Sequence, residues 1–268
     1  MKRMMSYLFV AVAIYVGIGA FLYFFQRSLI YHPASAHLDP AYHGVPELTA
    51  VKVETEDGLE LTAWFRPPAN EGALTVLYLH GNAGHIGHRS EKIRPYIDAG
   101  YGILLLSYRG YGTNHGYPTE ANLYKDGRGA LDFLAGKHIP IFKTVIYGES
   151  LGTGIAVEIA QDKAIFSLVL EAPFSSMVDA ASHHFKLFPA RLIVRDRYDS
   201  LSKINNIKAP LLIIHGKKDG TIPYSLARKL YNAAPNPKEF YDFPAAGHND
   251  LYEHGAASRI IEFLESNS

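Results

Sequence analysis

Ser150 is the residue of this chain best placed to do chemistry. It stands in Gly148-Glu149-Ser150-Leu151-Gly152, between a β-branched run at 143–147 and Gly-Ile-Ala-Val-Glu-Ile-Ala-Gln at 154–161, which reads as strand, sharp turn and helix start. The flanking glycines leave room where a Cβ would clash, so the serine hydroxyl is expected at the carboxyl end of a strand in a strained turn. A serine hydroxyl is a weak nucleophile at neutral pH. It needs a histidine to take its proton, and that histidine needs a carboxylate to hold its tautomer. The segment 210–215 (Pro-Leu-Leu-Ile-Ile-His) reads as an apolar strand and runs into Gly-Lys-Lys-Asp-Gly-Thr-Ile-Pro, which places Asp219 just past a strand end. A helical stretch at 224–234 and a strand at 238–243 lead to Pro-Ala-Ala-Gly-His-Asn-Asp, which places His248 after the last strand. The chain has 13 histidines, so position rather than type selects this one. Ser150, Asp219 and His248 are therefore the expected nucleophile, acid and base.

Attack on a carbonyl would also create an oxyanion, which preorganised N–H groups stabilise by about 3 kcal/mol per donor. The amide of Leu151, directly after the serine, is one expected donor. The second is expected from His80-Gly81-Asn82-Ala83-Gly84, after the apolar strand 74–79, with Asn82 preferred to Ala83. His80 is read as a brace for that loop, and Arg109 and Tyr111 of Tyr-Arg-Gly-Tyr-Gly likewise.

These groups must be carried by strands whose ends converge. The coarse pattern is strands at 51–54 and 59–66 joined by Asp57-Gly58, a hairpin signal that makes the first strands antiparallel. Strand 74–79, helix 87–99, strand 102–107, helix 119–134, the nucleophile strand, helix 151–162 and strand 167–171 follow. Their alternation implies an α/β protein with a mostly parallel, doubly wound sheet and helices on both faces, binding ligands beyond the carboxyl ends of its strands. At 268 residues and 48% hydrophobic the chain is sized for one such domain. Zero net charge gives no electrostatic reason to expect nucleic acid. The absence of cysteine excludes disulfides, a thiolate nucleophile and cysteine metal sites. No cofactor and no metal are expected.

Residues 6–25 are uncharged and largely apolar, and twenty helical residues span about 30 Å, the thickness of a bilayer core. The run ends Phe-Leu-Tyr-Phe-Phe rather than at a small-x-small cleavage site, so a retained transmembrane signal anchor is preferred to a cleaved signal peptide. Lys2 and Arg3 before the run against Arg27 after it orient the amino end to the cytoplasm and the remaining chain outside. The expected organisation is an anchor at 1–27, a linker at 28–48 that is irregular over its His-, Pro- and Ala-rich part, and a catalytic domain at 49–268. Specificity is expected from 174–200, which mixes apolar residues (Phe174, Met177, Phe185, Leu187, Phe188, Leu192, Ile193) with His183, His184, Lys186, Arg191, Arg195 and Arg197. It is read as a helix with an ordinary buried face whose arginines pair with Asp196 and Asp199, in preference to an acyl-binding surface facing anionic headgroups.

The chain resembles the α/β hydrolases, and within them the membrane-anchored Bem46-like and ABHD13- and ABHD17-type proteins. The resemblance rests on His80-Gly81-Asn82-Ala83-Gly84 with His88-Arg89, on Ser107-Tyr108-Arg109-Gly110-Tyr111-Gly112, on Gly148 to Gly152, on 219–223, on Gly247-His248-Asn249 and on Gln26-Arg27-Ser28-Leu29-Ile30-Tyr31-His32-Pro33. It implies the α/β-hydrolase fold and a metal-free serine hydrolase acting on esters or thioesters of small-molecule or lipid acyl groups, with the three residues in the roles above. The chain lacks the N-terminal cysteine cluster of the ABHD17-type depalmitoylases. A peptidase or amidase would use the same three residues, and a non-catalytic hydrolase-fold module could dispense with one of them.

Overall fold

A computed structural model describes residues 2–36 and 38–268; Met1 of the expected anchor and His37 of the expected linker lie outside the described residues. In chain order the elements are helix α1 (Lys2–Ile30), β1 (His32–Pro33), β2 (Thr49–Glu54), β3 (Glu60–Arg66), β4 (Thr75–Leu79), β5 (Ala83–Gly84), α2 (Ser90–Asp98), β6 (Gly102–Leu106), α3 (Glu120–Gly136), β7 (Thr144–Glu149), α4 (Leu151–Ala160) and β8 (Ser167–Glu171). There follow α5 (Met177–His184), α6 (Ala190–Ile193), α7 (Ser200–Lys203), β9 (Leu211–Gly216), α8 (Tyr224–Ala233), β10 (Lys238–Phe243) and α9 (Ala256–Ser266).

Eight strands form one sheet in the order β10-β9-β8-β7-β4-β6-β3-β2. β2 and β3 pair antiparallel, as does β3 with β6, and the remaining pairings are parallel. The hairpin is where Asp57-Gly58 put it, with Glu54 opposite Glu60 and Gly58 at φ 80°. β4, β6, β7, β8 and β9 are buried along their whole length, which explains their near-continuous apolar runs. Alternate residues feed two cores: Leu77 and Leu79 of β4 pack with Leu123 of α3 and Ile155 of α4, while Val76 and Tyr78 pack with Ile93 of α2 and Ile260 of α9. From β4 the chain first goes to β6 on one side and then returns to β7 on the other, so the strand order reverses at β4 and β7. That reversal opens the crevice in which such sheets hold ligands.

Two local expectations differ from the structure. The helix expected over 87–99 begins as a 3₁₀ turn, Ile86–Arg89, because the His85 ring accepts the Gly87 N–H and tightens the start. α1 continues to Ile30, past the end of the apolar run, and β1 then pairs in parallel with β5, His32 opposite Ala83 and Pro33 opposite Gly84. α1 is long and apolar enough to cross a membrane, and no residue of its apolar stretch is fully buried.

Candidate active site

β7 delivers Ser150 and α4 carries the chain away. Ser150 takes φ 50° and ψ −113°, a region that costs a non-glycine residue roughly 1–3 kcal/mol and persists only where neighbours over-determine it. Here its N–H donates to the Glu171 carbonyl at 2.9 Å, and its own carbonyl accepts the Thr153 N–H at 3.0 Å and the Thr153 hydroxyl at 2.6 Å. A Cβ on Gly152 would collide with the Leu79 carbonyl, and one on Gly148 would sit 2.7 Å from the Gly152 carbonyl, so both positions demand glycine by close approach.

The loops after β9 and β10 bring Asp219 and His248 to the serine. His248 Nε2 lies 3.0 Å from Ser150 Oγ, and Nδ1 lies 2.7 Å from Asp219 Oδ2. Asp219 Oδ1 accepts the N–H groups of Thr221 and Ile222, each at 2.8 Å, and His215 Nε2 lies 3.3 Å from Oδ2. Burial alone would raise the Asp219 carboxyl, but the hydrogen bonds from His215 and His248, with the Ile222 N–H, hold it well below the usual carboxylate range. Ionised, it accepts from Nδ1–H and leaves the Nε2 lone pair facing the serine hydroxyl. The neighbouring Asp250 is occupied elsewhere, accepting the Gly247 N–H at 2.7 Å.

Leu151 is the first residue of α4, so its N–H has no intrahelical acceptor. Asn82 is held from three sides. Its carbonyl accepts the His32 N–H at 2.9 Å and the Tyr111 hydroxyl at 2.7 Å, and its side-chain Nδ2 donates to the Ile30 carbonyl at 2.9 Å. Both residues line the same cavity as Ser150. His80 braces the loop, as read from the sequence. It is fully buried, Nδ1 donates to the Gly81 carbonyl at 2.7 Å, and burial with the nearby Arg89 charge pulls it down to about 3, so it stays neutral. Arg109 is likewise structural, bonded to Asp126 and Asp57.

Sequence reasoning missed the ion cluster behind the serine. Arg89 Nε and Nη2 grip Glu149 at 3.0 and 3.1 Å, and Nη1 donates to the Ala83 carbonyl at 2.9 Å. Lys92 reaches Glu149 at 3.3 Å and Glu171 at 2.7 Å. Glu149 is buried, yet these cations keep it below the usual carboxylate range. Arg89 thus ties the residue before Ser150 to the residue after Asn82. The available signal was spacing: Arg89, Lys92 and Tyr96 fall at i, i+3 and i+7, on one helical face.

A largely apolar cavity of about 250 Å³ opens beside Ser150. Its walls include Phe174, Met177, Phe185, Phe188 and Ile193, so residues 174–200 are not an ordinary core-packed helix, which corrects the sequence reading. Nor do the acidic residues pair with the arginines of their own segment: Asp196 binds Arg27 of α1 at 3.0 Å, and Asp199 caps α7. The opposite wall is α1 itself, through Leu22, Gln26, Leu29 and Ile30. Among the described residues no group of three His, Cys, Asp or Glu side chains is placed to hold a metal ion.

A sheet of this order with an elbow serine after β7, and acidic and histidine loops after β9 and β10, defines the α/β-hydrolase class of protein. A family model described as the α/β hydrolase fold matches residues 75–192. Protein bem46 of Schizosaccharomyces pombe is 32% identical over 268 residues, covering 92% of this chain and 88% of that protein. The lysophosphatidylserine lipase ABHD12 of Mus musculus is 28% identical over 256 residues, covering 83% of this chain and 63% of that protein. Among solved structures, an esterase of Pyrococcus furiosus superposes with a TM-score of 0.69 at 23% identity, over 88% of this chain and 98% of the esterase. The chain belongs to the α/β hydrolases, within their Bem46- and ABHD-type group.

Proposed function

We propose that the chain is a membrane-anchored serine hydrolase that cleaves carboxylic ester or thioester bonds of acyl substrates through an acyl-enzyme. Ser150 attacks the acyl carbonyl while His248 Nε2 takes its proton, and Asp219 holds the imidazole and balances its positive charge. The N–H groups of Leu151 and Asn82 receive the oxyanion. His248 then passes its proton to the departing alcohol or thiol, and a water activated by the same imidazole releases the acid. The observation that carries the reading is the 3.0 Å approach of His248 Nε2 to Ser150 Oγ at the mouth of an apolar cavity suited to an acyl group. A relative described as a lysophosphatidylserine lipase supports lipid esters among the substrates. The anchor is α1, retained after synthesis, with an extracytoplasmic catalytic domain (49–268) joined to it by the segment that follows.

The test is covalent labelling by a fluorophosphonate. Only an activated serine attacks phosphorus rapidly, so the parent protein labels and Ser150→Ala does not, with an unchanged circular-dichroism spectrum. Labelling retained in Ser150→Ala would remove the assignment.

A further inference from the structure

α1 does not stand apart from the domain. The Tyr15 hydroxyl donates to the Leu187 carbonyl at 2.8 Å, and the Tyr15 ring stacks on Phe188 with centroids 4.8 Å apart. Gln26 bonds the Ile193 carbonyl at 2.9 Å and the Arg195 N–H at 2.7 Å. The segment from Phe185 to Asp196 therefore lies along α1 from Tyr15 to Arg27, about 18 Å of helix axis at 1.5 Å per residue. If that segment were in water, only residues 2–14 of α1 would remain free to cross the membrane. They span about 20 Å, well short of the roughly 30 Å a bilayer core requires. The surface of the segment agrees with a lipid environment: Leu187 is 82% and Leu192 78% exposed, and Ile18, Phe21 and Phe25 of the adjoining stretch of α1 are exposed as well. Lys186, Arg191 and Arg195 have stems long enough to reach the headgroups from there.

We propose that residues 185–193 are immersed in the same leaflet that α1 enters, and that the cavity between them admits a single acyl chain sideways from that leaflet to Ser150. Its α1 wall runs from Leu22, within the apolar run, to Ile30, which the Asn82 side chain touches, so the cavity starts at hydrocarbon depth and ends at the serine. Its volume of about 250 Å³ falls just under the usual range of roughly 300–1,000 Å³ for small-molecule sites and suits one chain rather than two. The substrate class that follows is a membrane-resident, single-chain acyl ester. This deepens the hydrolase reading and rests on it for the chemistry, but the immersion itself does not.

The absence of cysteine makes the immersion directly testable. Full-length protein carrying one of Leu187→Cys, Leu192→Cys, Phe24→Cys or Tyr117→Cys is labelled with nitrobenzoxadiazole and reconstituted in phosphatidylcholine vesicles. Labels at 187 and 192 should be blue-shifted, quenched by doxyl groups on the lipid chains to within about twofold of the label at 24, and shielded from iodide at least fivefold relative to that at 117. Iodide quenching at 187 and 192 equal to that at 117, without doxyl quenching, would overturn immersion whatever the enzyme does. For the wall, Leu22→Trp and Leu29→Trp are compared with the parent on p-nitrophenyl dodecanoate and butyrate, folded protein being counted by fluorophosphonate labelling. The dodecanoate to butyrate ratio of kcat/KM should fall at least tenfold in both. An unchanged ratio in both variants would overturn the wall, and a parent inactive on every ester would instead overturn the hydrolase reading.

Discussion

At the scale of single residues, Asp219 and Asp250 separate cleanly. Asp219 alone of the two touches the imidazole, and it does so with its side chain wholly buried and fixed by two backbone N–H groups. Asp219→Asn presents a donor where Nδ1–H needs an acceptor, so kcat should fall by about 10⁴ with KM little changed. Asp250→Asn keeps an amide oxygen to accept the Gly247 N–H and removes a charge that does not touch the imidazole of His248, so steady-state kinetics on a short ester should find it within about tenfold of the parent. His80 carries a different prediction. Folded it titrates at about 3, against roughly 6.5 in an unfolded chain, so between those values the unfolded state binds the extra proton. Stability is therefore greatest above about pH 6.5 and declines as pH falls towards 3, with the depressed carboxyls of Asp219 and Glu149 adding to the loss only below the ordinary carboxylate range. Thermal unfolding should show Tm dropping from pH 6.5 to 5 in the parent and a flatter profile in His80→Gln. Equal slopes would mean that another group is responsible.

At the scale of elements, the loop after β4 depends on a segment fifty or more residues earlier in the chain. β1 pairs with β5, the Ile30 carbonyl accepts from Asn82, and Ala34 donates to the Gly84 carbonyl at 3.0 Å. The end of α1 and the short strand after it, with Ala34, thus form a clamp on the loop whose Asn82 N–H is proposed to receive the oxyanion. A protein starting at residue 21 keeps the clamp, whereas one starting at residue 36 loses it. On a water-soluble short ester, where anchoring is irrelevant, the second should show kcat at least tenfold below the first at equal circular dichroism, a loss of the size expected for one misplaced donor. Equal kcat values would show the clamp to be dispensable. From the other side, Arg89 holds the Ala83 carbonyl and the Glu149 carboxylate together, so the loop is fixed both to α1 and to the elbow.

At the scale of the whole molecule, the question is where the domain sits. Two basic residues before the apolar run against one just after it favour an amino end in the cytoplasm. The protein should resist extraction by high salt and by alkaline carbonate, and protease added to intact spheroplasts should digest the domain without lysis. Protection until lysis would reverse the orientation and leave the chemistry untouched. A mature amino terminus found near Ala20 would instead mean cleavage.

Much of the site was legible because its signals are local. An elbow is written in five consecutive residues, since glycine is required wherever a Cβ would meet the Leu79 and Gly152 carbonyls. The acidic and histidine loops could be placed because each follows a strand, and the alternation of strands and helices implied that the parallel strand ends share one edge. The geometry of the site could not be read in this way. Whether Asp219 or Asp250 meets His248 depends on how two loops approach across the crevice, and which side chains wall the cavity depends on contacts such as Gln26 to Ile193, 167 residues apart. Nor could the buried cations be placed: Arg89 and Lys92 stand in a stretch whose periodicity shows a face but not what covers it, and only the folded chain sets Glu149 and Glu171 against them. The residue types, the order of the reacting groups and the apolar run were determined by the sequence alone, because each is a property of neighbouring residues. The tertiary structure decided that the apolar helix is also a wall of the cavity and a support of the Asn82 loop, because hydrogen bonds and packing between distant segments exist only once the sheet has brought them together.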